Sequence, residues 1–147
     1  MPERFLASLD ETERVPQWQQ WLARDISVFV AEADDAIVGF VGGGAIRESF
    51  TPYDAELYTI YLLRERQGRG LGTRLLNTLI GDLVARDYRS MLVWVLEQNP
   101  AACFYEGVGA QLLTKKQIEI GGAQLDELAL GWPELRNALP ENERQRR

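Results

Sequence analysis

One stretch of this chain, residues 55–87, constrains its fold more than any other. It reads AELYTIYLLRERQGRGLGTRLLNTLIGDLVARD. Residues 56–63 set Leu57, Ile60, Leu62 and Leu63 around Tyr58 and Tyr61, a short β-rich run that predicts a strand. From Gly70 the period changes. Leu71, Leu75, Leu76, Leu79, Ile80, Leu83 and Val84 recur at helical spacing and make one apolar face. Gly68, Gly70 and Gly72 lie between strand and helix. A helix start has unpaired N–H groups and the positive end of the dipole, and glycines let an anion approach them. The stretch reads as a strand, a phosphate cradle and an amphipathic helix. An ordinary glycine-rich helix start is the competing reading of the turn.

Length and composition narrow what can be built around it. The chain has 147 residues, enough for one domain with its own core, so residues 1–147 are read as a single domain with a polar tail over 135–147. The net charge of −6 argues against a nucleic-acid partner, which asks for a broad basic surface. A single cysteine excludes an intrachain disulfide. No apolar run is long enough to span a membrane and no basic leader precedes one; the expectation is a cytoplasmic protein without a membrane partner. There is no histidine. That removes Ser-His and Cys-His catalysis, His-ligated metals and His general bases; proton transfer falls to carboxylate, Tyr, Lys, Cys or water.

Taken in order, residues 3–24 predict a helix, with Phe5, Leu6, Leu9, Trp18, Trp21 and Leu22 near helical spacing and Pro16 as a break. Strands over 27–32 and 36–42 form a hairpin about Asp34 and Asp35. Gly42, Gly43 and Gly44 end the second strand, and 48–54 reads as a loop. Residues 90–96 make a buried strand. Asn99 then suits an N-cap and Pro100 the first helical position, before a short helix over 101–106. Strands over 111–120 and 124–132 pair about Gly121 and Gly122. The fold class is α/β, a mixed sheet of the α+β kind.

Two common phosphate loops do not fit. A P-loop needs Gly-Lys-Ser/Thr, but Thr73 and Arg74 follow Gly72; a dinucleotide fingerprint needs its third Gly three after the second, but Gly70 is followed by Leu71 and Gly72. What fits is Gln67-Gly68-Arg69-Gly70-Leu71-Gly72, which resembles the Gln/Arg-x-x-Gly-x-Gly/Ala turn that binds acyl-CoA in the GNAT N-acyltransferases. A second segment strengthens the resemblance. Asn99-Pro-Ala-Ala-Cys-Phe-Tyr-Glu-Gly-Val-Gly109 is similar to the family's Asn-x-x-Ala-x-x-Phe-Tyr-x-x-x-Gly, one residue shorter between Asn and Phe-Tyr. The two motifs stand in the family's order, separated by one helix and one strand, and the resemblance spans residues 25–132. It departs from the family at the start, where a strand and a helix usually precede the region matching residues 5–24. The expectation is a sheet lacking its usual first strand and helix, whose uncovered edge would favour a homodimer.

The resemblance implies an acetyl-CoA-dependent N-acetyltransferase acting by direct attack of a primary amine, with acetyl-CoA as cosubstrate and no metal. It implies cofactor binding by Gln67, Gly68, Arg69, Gly70, Leu71, Gly72, Thr73 and Arg74 at the pyrophosphate. Backbone N–H groups at Tyr61, Leu62 and Leu63 would hold the pantetheine arm, with Asn99 beside it. Asn99 could equally only cap its helix, and Arg69 and Arg74 could be solvated surface arginines. Glu56, eleven residues before Gln67, is the candidate base, with an exposed strand-end carboxylate as the bland alternative and Glu97 as its competitor. Tyr105 is the candidate acid, against a reading as a core aromatic. Cys103 reads as a packing residue. Trp94 looks like core, while Tyr53, Tyr58, Glu119, Asp126 and Glu127 could face the acceptor, a small-molecule or peptide amine. The rival function is a non-catalytic acyl-CoA-binding module of the same fold with a regulatory or assembly role.

Overall fold

The computed structural model of the chain describes residues 4–8, 13–19, 26–68 and 70–140. Eight strands are present in it: β1 (Arg4–Ser8), β2 (Glu13–Gln19), β3 (Ile26–Ala33), β4 (Ala36–Phe50), β5 (Tyr53–Leu62), β6 (Met91–Leu96), β7 (Gln111–Ile120) and β8 (Ala123–Trp132). Helix α1 (Leu71–Ala85) joins β5 to β6 and α2 (Ala101–Gly107) joins β6 to β7. The strands form one sheet in the order β1-β2-β3-β4-β5-β6-β8-β7. Every neighbouring pair is antiparallel except β5 and β6. A parallel pair needs a crossover, and α1 supplies it.

Turn residues set the hairpins. Asp34 and Asp35 take φ of 52° and 64° between β3 and β4, and Gly121 and Gly122 take 58° and 83° between β7 and β8. Two successive positive φ values match the right-handed twist of the strands they join. All seven apolar residues read as one face of α1 are buried, packed with Phe29, Val41, Leu57 and Met91 in one core. Behind them Ser27, itself buried, donates to Asp82 of α1, which ties the helix to β3.

Apart from the expected polar tail over 135–147, whose Leu135 and Leu139 are instead buried in the core, three readings of local sequence are corrected. Residues 3–24 are not helical where described: β1 and β2 form a hairpin, and β2 pairs with β3. Among the described residues no helix precedes β3, and two strands extend the sheet beyond it. Pairing with a neighbour has overridden apolar spacing that also fits a helix. The ladder to β3 skips Val15 and Pro16, where proline has no N–H to donate. The second correction concerns Gly42, Gly43 and Gly44, which do not end their strand. β4 continues through them to Phe50, absorbing most of the expected loop over 48–54. The reason is close packing: a Cβ on Gly43 would stand 2.7 Å from the Glu56 carbonyl oxygen and 2.9 Å from Leu79 Cδ2. The third concerns Trp94, which is only partly buried and sits on the sheet face away from α1, unlike its neighbours Val93 and Val95.

The β5–β6 ladder has just two register pairs, Ala55 with Met91 and Glu56 with Leu92. Beyond Glu56 the strands separate, and β5 continues to Leu62 paired only with β4. The closed end is stitched by Asp54, whose carboxylate accepts from the backbone N–H of Arg89 at 3.0 Å, the N–H of Ser90 at 3.0 Å and the Ser90 hydroxyl at 3.1 Å. The result is a V-shaped opening between the two central strands.

Candidate active site

At one end of the opening is the glycine turn. Gly68 and Gly70 take φ of 78° and 82°, and a Cβ on either would meet nothing within 4 Å. The positive φ at both positions favours glycine, and the backbone there faces open space. The first intrahelical bond of α1 runs from the Arg74 N–H to the Gly70 carbonyl. Leu71, Gly72 and Thr73 thus have N–H groups without an intrahelical acceptor, and no side chain caps them. No acidic residue lies in that first turn, leaving the positive end of the dipole uncompensated. Gln67 braces the turn by donating from Nε2 to the Leu62 carbonyl at 3.0 Å. Arg69 lies outside the described residues.

The two sequence motifs meet here. A Cβ on Gly72 would lie 3.5 Å from Phe104 Cζ, so α2 rests against the first turn of α1. Tyr105 beside it is buried. Its ring packs edge-on to Trp132, with centroids 6.1 Å apart, and no hydrogen-bond partner for its hydroxyl is present among the described residues. Burial pushes the phenol up to about 12. Asn99 does serve a cap: its Oδ1 accepts from the Ala101 N–H at 2.9 Å and its carbonyl from the Ala102 N–H at 3.0 Å. Pro100, expected as the first helical residue, takes the capping position instead.

Of the three residues at the end of β5 and just past it that were expected to offer backbone groups to the opening, Leu63 does not. Its N–H donates to the Val38 carbonyl at 2.9 Å, and alternation turns Tyr61 the same way. Leu62 faces away from β4, toward the gap. Tyr61 instead presents a half-exposed ring against Phe40, 5.8 Å between centroids.

On the opposite sheet face lies an open cleft of about 280 Å³, lined by Arg47, Glu48, Glu56, Trp94, Lys116 and Glu127. Glu56 sits at the vertex of the V. Ala55 and Leu57 on either side of it join the core under α1, so strand alternation sends the Glu56 side chain to the other face. That side chain is 4% exposed. Its Oε1 accepts the Arg47 backbone N–H at 3.0 Å and its Oε2 the Arg47 guanidinium at 2.7 Å. The guanidinium lies 4.3 Å from the centre of the Tyr58 ring, and the Tyr58 hydroxyl donates to the Ala45 carbonyl. Pairing with Glu56 raises the Arg47 pKa above its ordinary value. Across the cleft, the Lys116 ammonium stands 4.3 Å over the Trp94 ring and 3.8 Å from Glu127 Oε1.

Glu97 is half exposed and bound to Lys115 at 3.1 Å, outside the cleft lining. Cys103 is exposed on α2. Of the residues named as able to face the acceptor, Glu127 lines the cleft and Glu119 is exposed elsewhere. Sequence reasoning missed Arg47, Glu48 and Lys116. Only the β4 register, with Gly44 opposite Glu56 and Ala45 opposite Ala55, brings Arg47 back to Glu56, and no local motif announces it.

The arrangement combines a bare helix start, a split between parallel strands, a buried tyrosine on one face and a buried carboxylate on the other. Comparison with known proteins gives the family and the fold. The acetyltransferase (GNAT) family model matches residues 2–110. The chain is 39% identical over 136 residues to YuaI, an uncharacterized N-acetyltransferase of Bacillus subtilis (strain 168), an alignment covering 92% of this chain and 78% of that one. The fold is similar to that of yncA from Salmonella typhimurium, solved with its cofactor acetyl-CoA, with a TM-score of 0.64 and 24% identity over 75% of this chain and 65% of that one. It is similar also to the ribosomal-protein-S18-alanine N-acetyltransferase of Escherichia coli, with a TM-score of 0.63 and 22% identity over 76% and 71% of the two chains. This chain belongs to the GNAT family of N-acetyltransferases and is an acyltransferase.

Proposed function

We propose that the chain transfers an acetyl group from acetyl-CoA to a primary amine, by direct attack within a ternary complex. The observation that carries this reading is the V. It opens at Glu56 and lies between a helix start bare of capping side chains and an acidic cleft on the other face.

The residues fit acetyl-CoA. The free N–H groups at Leu71, Gly72 and Thr73 suit a pyrophosphate, and the Leu62 edge beyond the last β5–β6 pair suits an amide-bearing arm. When bound, acetyl-CoA supplies an acyl group activated as a thioester. The cleft supplies the acceptor side, with three carboxylates against two cations, a balance that favours a cationic amine. Glu56 is the base, direct or through water: Oε1 is fixed by a backbone N–H, and Oε2 is the oxygen that receives the proton. Tyr105 is the acid-side group on the opposite face. A phenol at about 12 stays protonated at any working pH. Complete transfer to a thiolate of ordinary pKa is uphill by roughly three pKa units, so Tyr105 acts by donating a hydrogen bond to the departing sulfur. Cys103 lies outside the cleft lining, which supports direct attack over an acyl-cysteine route.

A thiol-release assay with acetyl-CoA and a panel of alkylamines, amino acids and peptides tests the reading. Release that depends on the amine, with the acetylated amine identified by mass, is the expected result. A protein that binds acetyl-CoA and releases no thiol with any amine is a binding module instead.

A further inference from the structure

The Arg47–Glu56 pair is unequal in a way that bears on which acceptors the cleft admits. Glu56 is buried, whereas the Arg47 side chain is 62% exposed. The two bonds also differ in kind. The backbone N–H on Oε1 belongs to the β4 path and stays wherever the side chain goes. The guanidinium on Oε2 is held by a single 2.7 Å contact and by its seat over Tyr58. Arg47 can therefore leave without disturbing how the carboxylate is aimed. What cannot happen cheaply is for Oε2 to stand alone, because a buried carboxylate stripped of its partner is strongly disfavoured. Departure of Arg47 has to be an exchange, one cation for another.

We infer that the Arg47 guanidinium is an internal stand-in for the acceptor's ammonium group, occupying the seat at Glu56 Oε2 until a protonated amine replaces it. The inference rests on Glu56 facing the acceptor and adds a selection rule. A neutral or anionic molecule of the same shape gives Oε2 no charge in return and does not displace Arg47. An alkylammonium does, and arrives next to the oxygen that takes its proton. Arg47 is thus a specificity-determining residue and the acceptor binds in its charged form. Lys116 shares the cleft, but its ammonium rests on Trp94 and Glu127, so among the described residues Arg47 alone contests Glu56.

The test compares wild type with Arg47→Ala and Arg47→Lys, using the best amine of the panel and guanidinium chloride as a probe, with equal sodium chloride as control. Arg47→Ala empties the seat. Its KM for the amine should fall by roughly two- to five-fold, the scale of a partly exposed ion pair. Guanidinium at tens of millimolar should inhibit it competitively against the amine, yet leave wild type untouched. Arg47→Lys should fall between the two. A lower kcat at unchanged KM, restored by Lys and indifferent to guanidinium, would make Arg47 a clamp for Glu56 and overturn the inference. A melt read without turnover separates this from the proposed activity. Guanidinium or n-butylammonium chloride should raise the Tm of Arg47→Ala and not of wild type, even if no amine is acetylated. Equal shifts in both proteins would overturn the seat itself.

Discussion

Glu56 and Tyr105 are almost equally buried, at 3% and 4% exposure, and their surroundings treat them in opposite ways. Glu56 meets a donor at each oxygen. Tyr105 has aromatic neighbours and no polar partner among the described residues, and desolvation alone lifts its pKa to about 12. Because the folded value lies above the ordinary 10, the resulting stability is fully present below pH 10. It is lost as pH rises toward 12, on the order of 2–3 kcal/mol in all. Melts across that range should show Tyr105→Phe losing less stability than wild type; matching alkaline losses would mean that the hydroxyl is solvated. In the assay the same variant should lower kcat by roughly ten- to a hundredfold at unchanged acetyl-CoA affinity, and an unchanged kcat would remove Tyr105 from the reaction. Glu56→Gln should flatten the rise of rate with pH. An identical profile would move the base to Glu97 or water. Both residues were singled out in the sequence only through the family resemblance of the segments that hold them. Arg47 was not, since nine residues separate it from Glu56 and only the register of β4 closes that distance.

At the scale of elements, α1 and the two C-terminal hairpin strands were legible because each carries one unambiguous period bounded by glycine. β4 was not. Three consecutive glycines read as a stop, yet the strand runs 15 residues through them, and at Gly43 β5 and α1 press against it too closely for a side chain. The ladder shifts register between Gly42 and Gly43, and Gly43 sits under both the Glu56 carbonyl and Leu79. Gly43→Ala should therefore cost roughly 1–3 kcal/mol in denaturant unfolding, as overpacking does. The Glu56 end of β5 should be disturbed along with it. A neutral substitution would show that strand and helix separate easily there. The N-terminal hairpin was misread for the reverse reason. Its apolar residues satisfy a helical spacing locally, and the deciding partner, β3, lies elsewhere in the chain.

For the whole molecule, the decisive feature is a sheet that is continuous in order but open in the middle. Two pairs hold β5 to β6, and the Asp54–Ser90 stitch prevents the split from running further. Sequence alone indicates two strands joined by a helix, hence a parallel pair; how far that pairing extends is a matter of tertiary packing. The split separates a helix-covered face, with Tyr105 and the glycine turn, from an acidic face with Glu56. A group threaded between the strands would meet both. The account stands or falls on whether acetyl-CoA occupies that path. The direct measurement is a thermal melt of the chain with acetyl-CoA, set against adenosine and NAD. At about one hundred times its dissociation constant a ligand adds about 2.7 kcal/mol to the folded state, several degrees for a domain near this size. The account predicts that rise with acetyl-CoA alone and a smaller one in Gly70→Ala. A well-folded sample whose Tm does not move with acetyl-CoA would contradict it.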